Sequence, residues 1–143
     1  MSHLTNARNQ ILPLLNDVVV DVPIPVFVVA DSSVQPLDSL APSVPYGIVL
    51  RGTIASERIG RNVWRRRVTT IAIVRCKIRA GEGPLYSTNL FYDYCEALIQ
   101  SVEAASPSLK IMKAEAEVIQ DPEEFIRAGV SSSLLRFETW VIE

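Results

Sequence analysis

The sequence predicts an α+β domain: one mostly antiparallel sheet with a long hairpin, and helices packed on one face. Three observations carry this. Alternating stretches at 46–57 and 63–79 flank a turn that holds Gly60 and Asn62, the pattern of an antiparallel hairpin. The stretch 87–105 sets Phe91, Tyr94, Cys95, Leu98 and Val102 at helical spacing. Two more alternating segments, 110–120 and 131–143, supply further strands. The 143 residues, 48% of them apolar, suit a single domain spanning 1–143.

Taken in order, Leu4, Ala7, Ile11, Leu14 and Leu15 predict a short helix over 5–17, capped by Thr5 or Asn6. Pro13 predicts a kink or an early stop, since proline inside a helix costs about 3 kcal/mol. The Val-rich run "PVFVVAD" at 25–31 reads as a buried strand. Residues 31–45, with Pro36, Pro42 and Pro45, read as a long surface loop. In 46–57, Tyr46, Ile48, Leu50 and Ile54 fall on one face, with Arg51, Thr53 and Glu57 on the other.

The segment 63–79, "VWRRRVTTIAIVRCKIR", also divides in two. Trp64, Arg66, Val68, Thr70, Ala72, Val74, Cys76 and Ile78 lie on a core face. Arg65, Arg67, Thr69, Ile71, Ile73, Arg75, Lys77 and Arg79 lie on the other, which is basic at both ends and apolar in the middle. Ile71 and Ile73 predict that something covers that middle. The helix at 87–105 has Ser87 or Thr88 as its cap and stops before Pro107. In 110–120, Met112, Ala114, Ala116 and Val118 share a face opposite Lys113, Glu115 and Glu117. Residues 121–129 form an acidic connector, and Leu135, Phe137 and Val141 share one face of the last strand.

Charge is segregated. Between 51 and 79 nine bases stand against one acid, Glu57, a net of +8; the rest of the chain has five bases and fifteen acids, a net of −10. Most of the bases are Arg, the side chain that pairs bidentately with carboxylate or phosphate. A +8 segment on a −10 body is self-complementary. The acids at Glu115, Glu117, Glu123 and Glu124, and on the helix at Asp93, Glu96 and Glu103, are candidate receivers for a second copy's arginines. A solvated face and a nucleic-acid contact are the competing readings of the basic segment. The acidic chain and the placing of Trp64 on the core face weigh against nucleic acid.

Several chemistries lack their residues. The longest uncharged run, 39–50, carries two prolines and falls short of the roughly 20 apolar residues a membrane span needs. "MSHLTNARNQ" has no apolar core of a secretory signal. Cys76 and Cys95 have no CxxC spacing and read as reduced, core-filling thiols. His3 is the one histidine, so no Ser–His–Asp, Cys–His or histidine-zinc arrangement can be drawn. The carboxylates of Glu115 and Glu117, and of Asp121, Glu123 and Glu124, read as solvated. Gly81 and Gly83 lack the third glycine of a phosphate loop, and Glu82 would repel a phosphate. The sequence thus predicts neither an enzyme nor a cofactor.

The order of elements and several local texts resemble the phage tail terminator (tail completion) family over most of the chain. The texts are "NARNQILPLL", "VPYGIVLRG", "TIASERIGRNVWRRRVTTIAIV", "NLFYDYCEALIQSVEA" and "LLRFETWVIE". The resemblance implies a virion protein of the tail or neck, made in the host cytoplasm. It would form a homo-hexameric ring that caps the tail tube, ends its polymerisation and joins it to the head connector protein, with no cofactor, substrate or membrane. On that reading Arg58, Arg61, Arg65, Arg66 and Arg67 contact a neighbouring subunit or the tube protein. Arg75, Lys77 and Arg79 lie nearer the ring body, and DNA passes the lumen. The alternatives are another neck or head–tail joining ring protein, and a small nucleic-acid-binding module.

Overall fold

The computed structural model describes residues 2–18, 27–29, 46–77, 88–105, 111–119 and 130–143. Its elements are α1 (His3–Asn16), β1 (Phe27–Val29), β2 (Tyr46–Gly60), β3 (Val63–Lys77), α2 (Thr88–Ala104), β4 (Ile111–Ile119) and β5 (Val130–Ile142). The strands form one five-stranded sheet in the order β1-β2-β3-β5-β4. β1 pairs parallel to β2, and every other pairing is antiparallel. The fold is therefore α+β, and both helices pack on the same face of the sheet.

That face is the core. Ile11 and Leu15 of α1 and Phe91, Tyr94, Leu98 and Val102 of α2 meet Val49, Ala72, Val74, Cys76, Leu135 and Phe137 of the sheet. All are buried, and each large apolar side chain removed from water contributes about 1.5–3 kcal/mol. The Ser101 hydroxyl donates to the Leu14 carbonyl at 2.6 Å and ties α2 to α1. The stripe predicted for α2 is the one that is buried.

Local chemistry shifts several boundaries and faces. Helix α1 starts earlier than expected because Ser2, not Thr5 or Asn6, is the cap; its hydroxyl accepts the Thr5 N–H at 3.1 Å. Pro13 does not stop the helix, which runs on to Asn16. The Pro13 ring lies on the exposed side, where water can serve a carbonyl that loses its helical donor.

Strand β2 changes phase at a bulge. Leu50 opposes Ile71 and Thr53 opposes Thr69, so Arg51 and Gly52 together face Thr70. Beyond the bulge Ile54 opposes Val68, on the helix side of β3, whereas Leu50 opposes Ile71 on the other side. The expectation that Leu50 and Ile54 share a face is corrected accordingly. The extra residue must be glycine, because a Cβ on Gly52 would sit 1.4 Å from the Thr69 carbonyl oxygen. Strand β4 does the same between Ile111 and Lys113. Met112 is extruded and 63% exposed, while Ile111 packs against the core. Met112 therefore does not share a core face with Ala114.

The hairpin turns through Arg61 and Asn62, with Asn62 in the left-handed region at φ 59°. The loop expected at 31–45, the glycines at 81 and 83 and the acidic connector at 121–129 lie outside the described residues.

Candidate interaction surface

The helix layer covers only part of the hairpin. On β3, Val68, Thr70, Ala72, Val74 and Cys76 are buried, as their alternation predicts. Trp64 continues that series but lies past the helices and is 40% exposed. The placing of Trp64 on the core face holds in phase and fails in burial. From Thr53 to Trp64 every residue is exposed, including Ile54, Ile59 and Val63. This ribbon is an arm that projects beyond the core.

The base of the arm is anchored by β5. Arg65, Arg66 and Arg67 oppose Ile142, Val141 and Trp140. Trp64 and Glu143 then exchange both backbone hydrogen bonds, at 2.7 and 2.9 Å. The Glu143 carboxylate meets His3 at the start of α1 and lies 3.5 Å from Arg66 Nε, so it bridges the first helix and the arm.

Three of the five arm arginines spend their charge within the chain. Arg65 donates to Glu57 at 2.5 Å and stacks 4.1 Å from the centre of the Trp140 ring. Arg66 faces Glu143, and Arg67 lies 3.7 Å from Glu138. With Ala55 and Ser56, the groups of Glu57, Arg65, Arg67 and Trp140 line a shallow pocket of about 200 Å³. The other two differ. Arg58 donates only to the Gly60 carbonyl, at 3.2 Å, and Arg61 has no charged partner among the described residues. Alternation within a strand carries no signal for these partners: Glu57 meets Arg65 across the hairpin, and only the register of β5 on β3 brings Glu138, Glu143 and Trp140 to the arginines.

The face of the sheet away from the helices carries Ile71 and Ile73, both half-buried. Among the described residues no helix covers them; their neighbours are Arg136 and Leu134 of β5. The same face holds Glu115 and Glu117, both bridged by Arg136 Nη1 at 3.1 and 3.3 Å. Lys113 adds a third contact, 3.1 Å from Glu115. The hydrogen bond from Lys113, then that from Arg136, holds the Glu115 carboxyl below its ordinary range. Arg75 donates to the Ser132 hydroxyl at 3.1 Å. Of the remaining predicted site residues, Lys77 is described only as the last residue of β3, and Arg79, Glu123 and Glu124 lie outside the described residues.

On the other side of the molecule, α2 turns an acidic stripe outward. Asp93, Glu96 and Glu103 are exposed, and none has a basic partner among the described residues. Glu96 accepts only from Gln100, at 3.4 Å. Tyr92, 45% exposed, borders the stripe.

The thiols sit in the core. Burial, and then the nearby Cys95, pushes Cys76 up to about 12, and burial pushes Cys95 up to about 11. Both are inert as nucleophiles near neutral pH. Among the described residues no group of three or more His, Cys, Asp or Glu side chains could hold a metal ion, and no helix is long and apolar enough to cross a membrane.

Fold and surface together define an α+β protein with a projecting, partly basic arm and a separate acidic helix face. No protein-family model matches the chain, and no curated protein matches it in sequence.

Proposed function

We propose that this chain is a structural ring subunit of the tail terminator kind, which caps a phage tail tube, ends its polymerisation and offers a surface to the head connector. The observation that carries the reading is the arm. It extends past the helix layer and leaves Ile54, Ile59, Val63 and Trp64 in water. Apolar side chains left in water along an arm rich in arginine support a protein contact, because covering them with a partner is favourable. The resemblance in element order and local text supplies the kind of assembly, and the opposite charges of arm and α2 are consistent with copies that meet one another. The partners on this reading are further copies in a hexamer, the tube protein and the connector protein, within the tail or neck of the virion. The role is not enzymatic.

Electron microscopy of the purified protein, alone and mixed with tail tubes, tests this. The expected images are rings with a central hole, or single rings on tube ends. A protein that stays monomeric and never associates with tubes overturns it. Binding to connector complexes but not to isolated tubes would instead indicate a head–tail joining ring.

One observation favours a second reading, a nucleic-acid contact. Trp64 is exposed beside Arg58, its cross-strand partner. An exposed aromatic among arginines is a stacking platform for single strands. A nucleic-acid contact requires affinity that falls by nearly one log unit per phosphate neutralised for each tenfold rise in salt, and Trp64→Ala would weaken it about tenfold or more. Absence of a salt slope removes this reading.

A further inference from the structure

We infer that the arm of one copy docks on the acidic outer stripe of α2 of the next, with Arg58 and Arg61 against Asp93 and Glu96 and Trp64 against Tyr92. This rests on the ring reading above and assigns its subunit contact.

The charges select these partners. Arg65, Arg66 and Arg67 are already answered by Glu57, Glu138 and Glu143, which leaves Arg58 and Arg61 as the arm cations without a charged partner among the described residues. Glu115 and Glu117 are already answered by Arg136, which leaves Asp17, Asp93, Glu96 and Glu103 as the exposed acids without a base among the described residues, and of these only Asp93, Glu96 and Glu103 share one helix face. The apolar groups agree, since each set of charges borders an exposed aromatic: Trp64 on the arm and Tyr92 on the helix. Burying the two aromatics against each other would supply the area, and the charge pairs would set the register.

The dimensions agree as well. Beyond its pairing with Val68, β2 runs from Ile54 to Gly60, about 20 Å of ribbon at about 3.3 Å per residue. From Asp93 to Glu103 the stripe is about 15 Å long at about 1.5 Å per residue.

The arm cannot reach its own stripe. Phe91, Tyr94, Leu98 and Val102 bury the inner side of α2 against the sheet, so Asp93, Glu96 and Glu103 lie on the outer side of the helix layer, whereas the arm continues the sheet. The occupant is therefore a second copy. Arm and stripe are different surfaces, so the contact is heterologous, and each docked copy presents the next free arm and stripe. Repetition with a rotation that closes, as the ring reading requires, gives a ring, and one that does not close gives a filament.

Charge exchange tests the pairing. The arm variant Arg58→Glu/Arg61→Glu and the stripe variant Asp93→Arg/Glu96→Arg change only exposed residues. Unchanged circular dichroism and denaturation midpoints would confirm that each folds. In light scattering after gel filtration, each variant alone should assemble at least tenfold more weakly than the parent. An equimolar mixture should recover assembly, because every reversed arm then meets a reversed stripe. If the parent assembles and either folded variant assembles as well as it does, or the mixture fails to recover, the docking is wrong and the ring reading stands. If the parent never assembles, with or without tail tubes, both fall.

Discussion

Asn16, the last residue of α1, holds both backbone groups of Phe27. Its side-chain carbonyl accepts the Phe27 N–H at 2.7 Å, and its amide donates to the Phe27 carbonyl at 3.1 Å. Among the described residues Phe27 has no strand on its outer side, and this one amide takes that neighbour's place and fixes the three-residue β1 beside β2. The Phe27 ring in turn fills the space over Gly47, where a Cβ would lie 2.7 Å from the ring.

Asn16→Ala removes both bonds and strands two partly buried peptide groups, so it should cost about 2 kcal/mol. Urea denaturation gives the loss, and faster hydrogen exchange at Phe27 locates it. An unchanged exchange rate at Phe27 would show that the clamp is not what holds β1.

Gly52→Ala should cost about 3 kcal/mol, since its Cβ meets the Thr69 backbone rather than a side chain that can move aside. The same change at Gly60, which has only Val63 atoms at 3.6 Å and beyond, should cost far less. Comparing the two denaturation midpoints checks this.

The buried thiols make stability fall in alkali. Their ordinary value is 9.0, and the fold raises it to about 12 for Cys76 and about 11 for Cys95. The unfolded chain then releases these protons first. The contribution is fully present below pH 9 and is lost as pH rises from there through 11 and 12, by about 1 kcal/mol per pH unit for each thiol. Burial also raises Tyr94, which adds to the loss at the alkaline end. Denaturation between pH 8 and 11 should show the decline, and Cys76→Ala/Cys95→Ala should flatten it. In the native protein neither thiol should react with a disulfide reagent at pH 8.

Glu115 should titrate below 4.5 in an NMR pH series. Its folded value is depressed, so any stability it lends is present above its unfolded value and lost as pH falls through the folded one. Lys113→Ala should raise the midpoint more than Arg136→Ala, because the Lys113 contacts dominate.

Ile59→Ser lies beyond the core and should change folding stability by no more than about 0.5 kcal/mol. The same substitution should weaken self-association, which separates a side chain kept for a partner from one kept for the fold.

Much of this molecule was legible in its sequence. Alternation on β3 marked Val68, Ala72, Val74 and Cys76 as core, and the 3.6-residue period of α2 marked Phe91, Tyr94, Leu98 and Val102. The hairpin was legible because its turn residues and its flanking strands are neighbours in the chain. All of these follow from local periodicity, which a backbone of fixed geometry converts directly into a buried face.

Tertiary structure decided the rest. Periodicity carries no signal for a bulge, so the phase change at Gly52 and the extrusion of Met112 emerge only when β2 and β4 are laid against their partners. A residue's phase also differs from its burial. Trp64 has the phase of the core, and only the reach of the helix layer leaves it in water. The arginines show the same limit most clearly. Composition gave a block of +8, but which cations remain available depends on β5 lying beside β3, a contact across about seventy residues. That register hands Glu138 to Arg67 and Glu143 to Arg66, and leaves Arg58 and Arg61 to face outward. Charge is a property of the sequence, whereas its neutralisation is a property of distance, and only the fold sets distance.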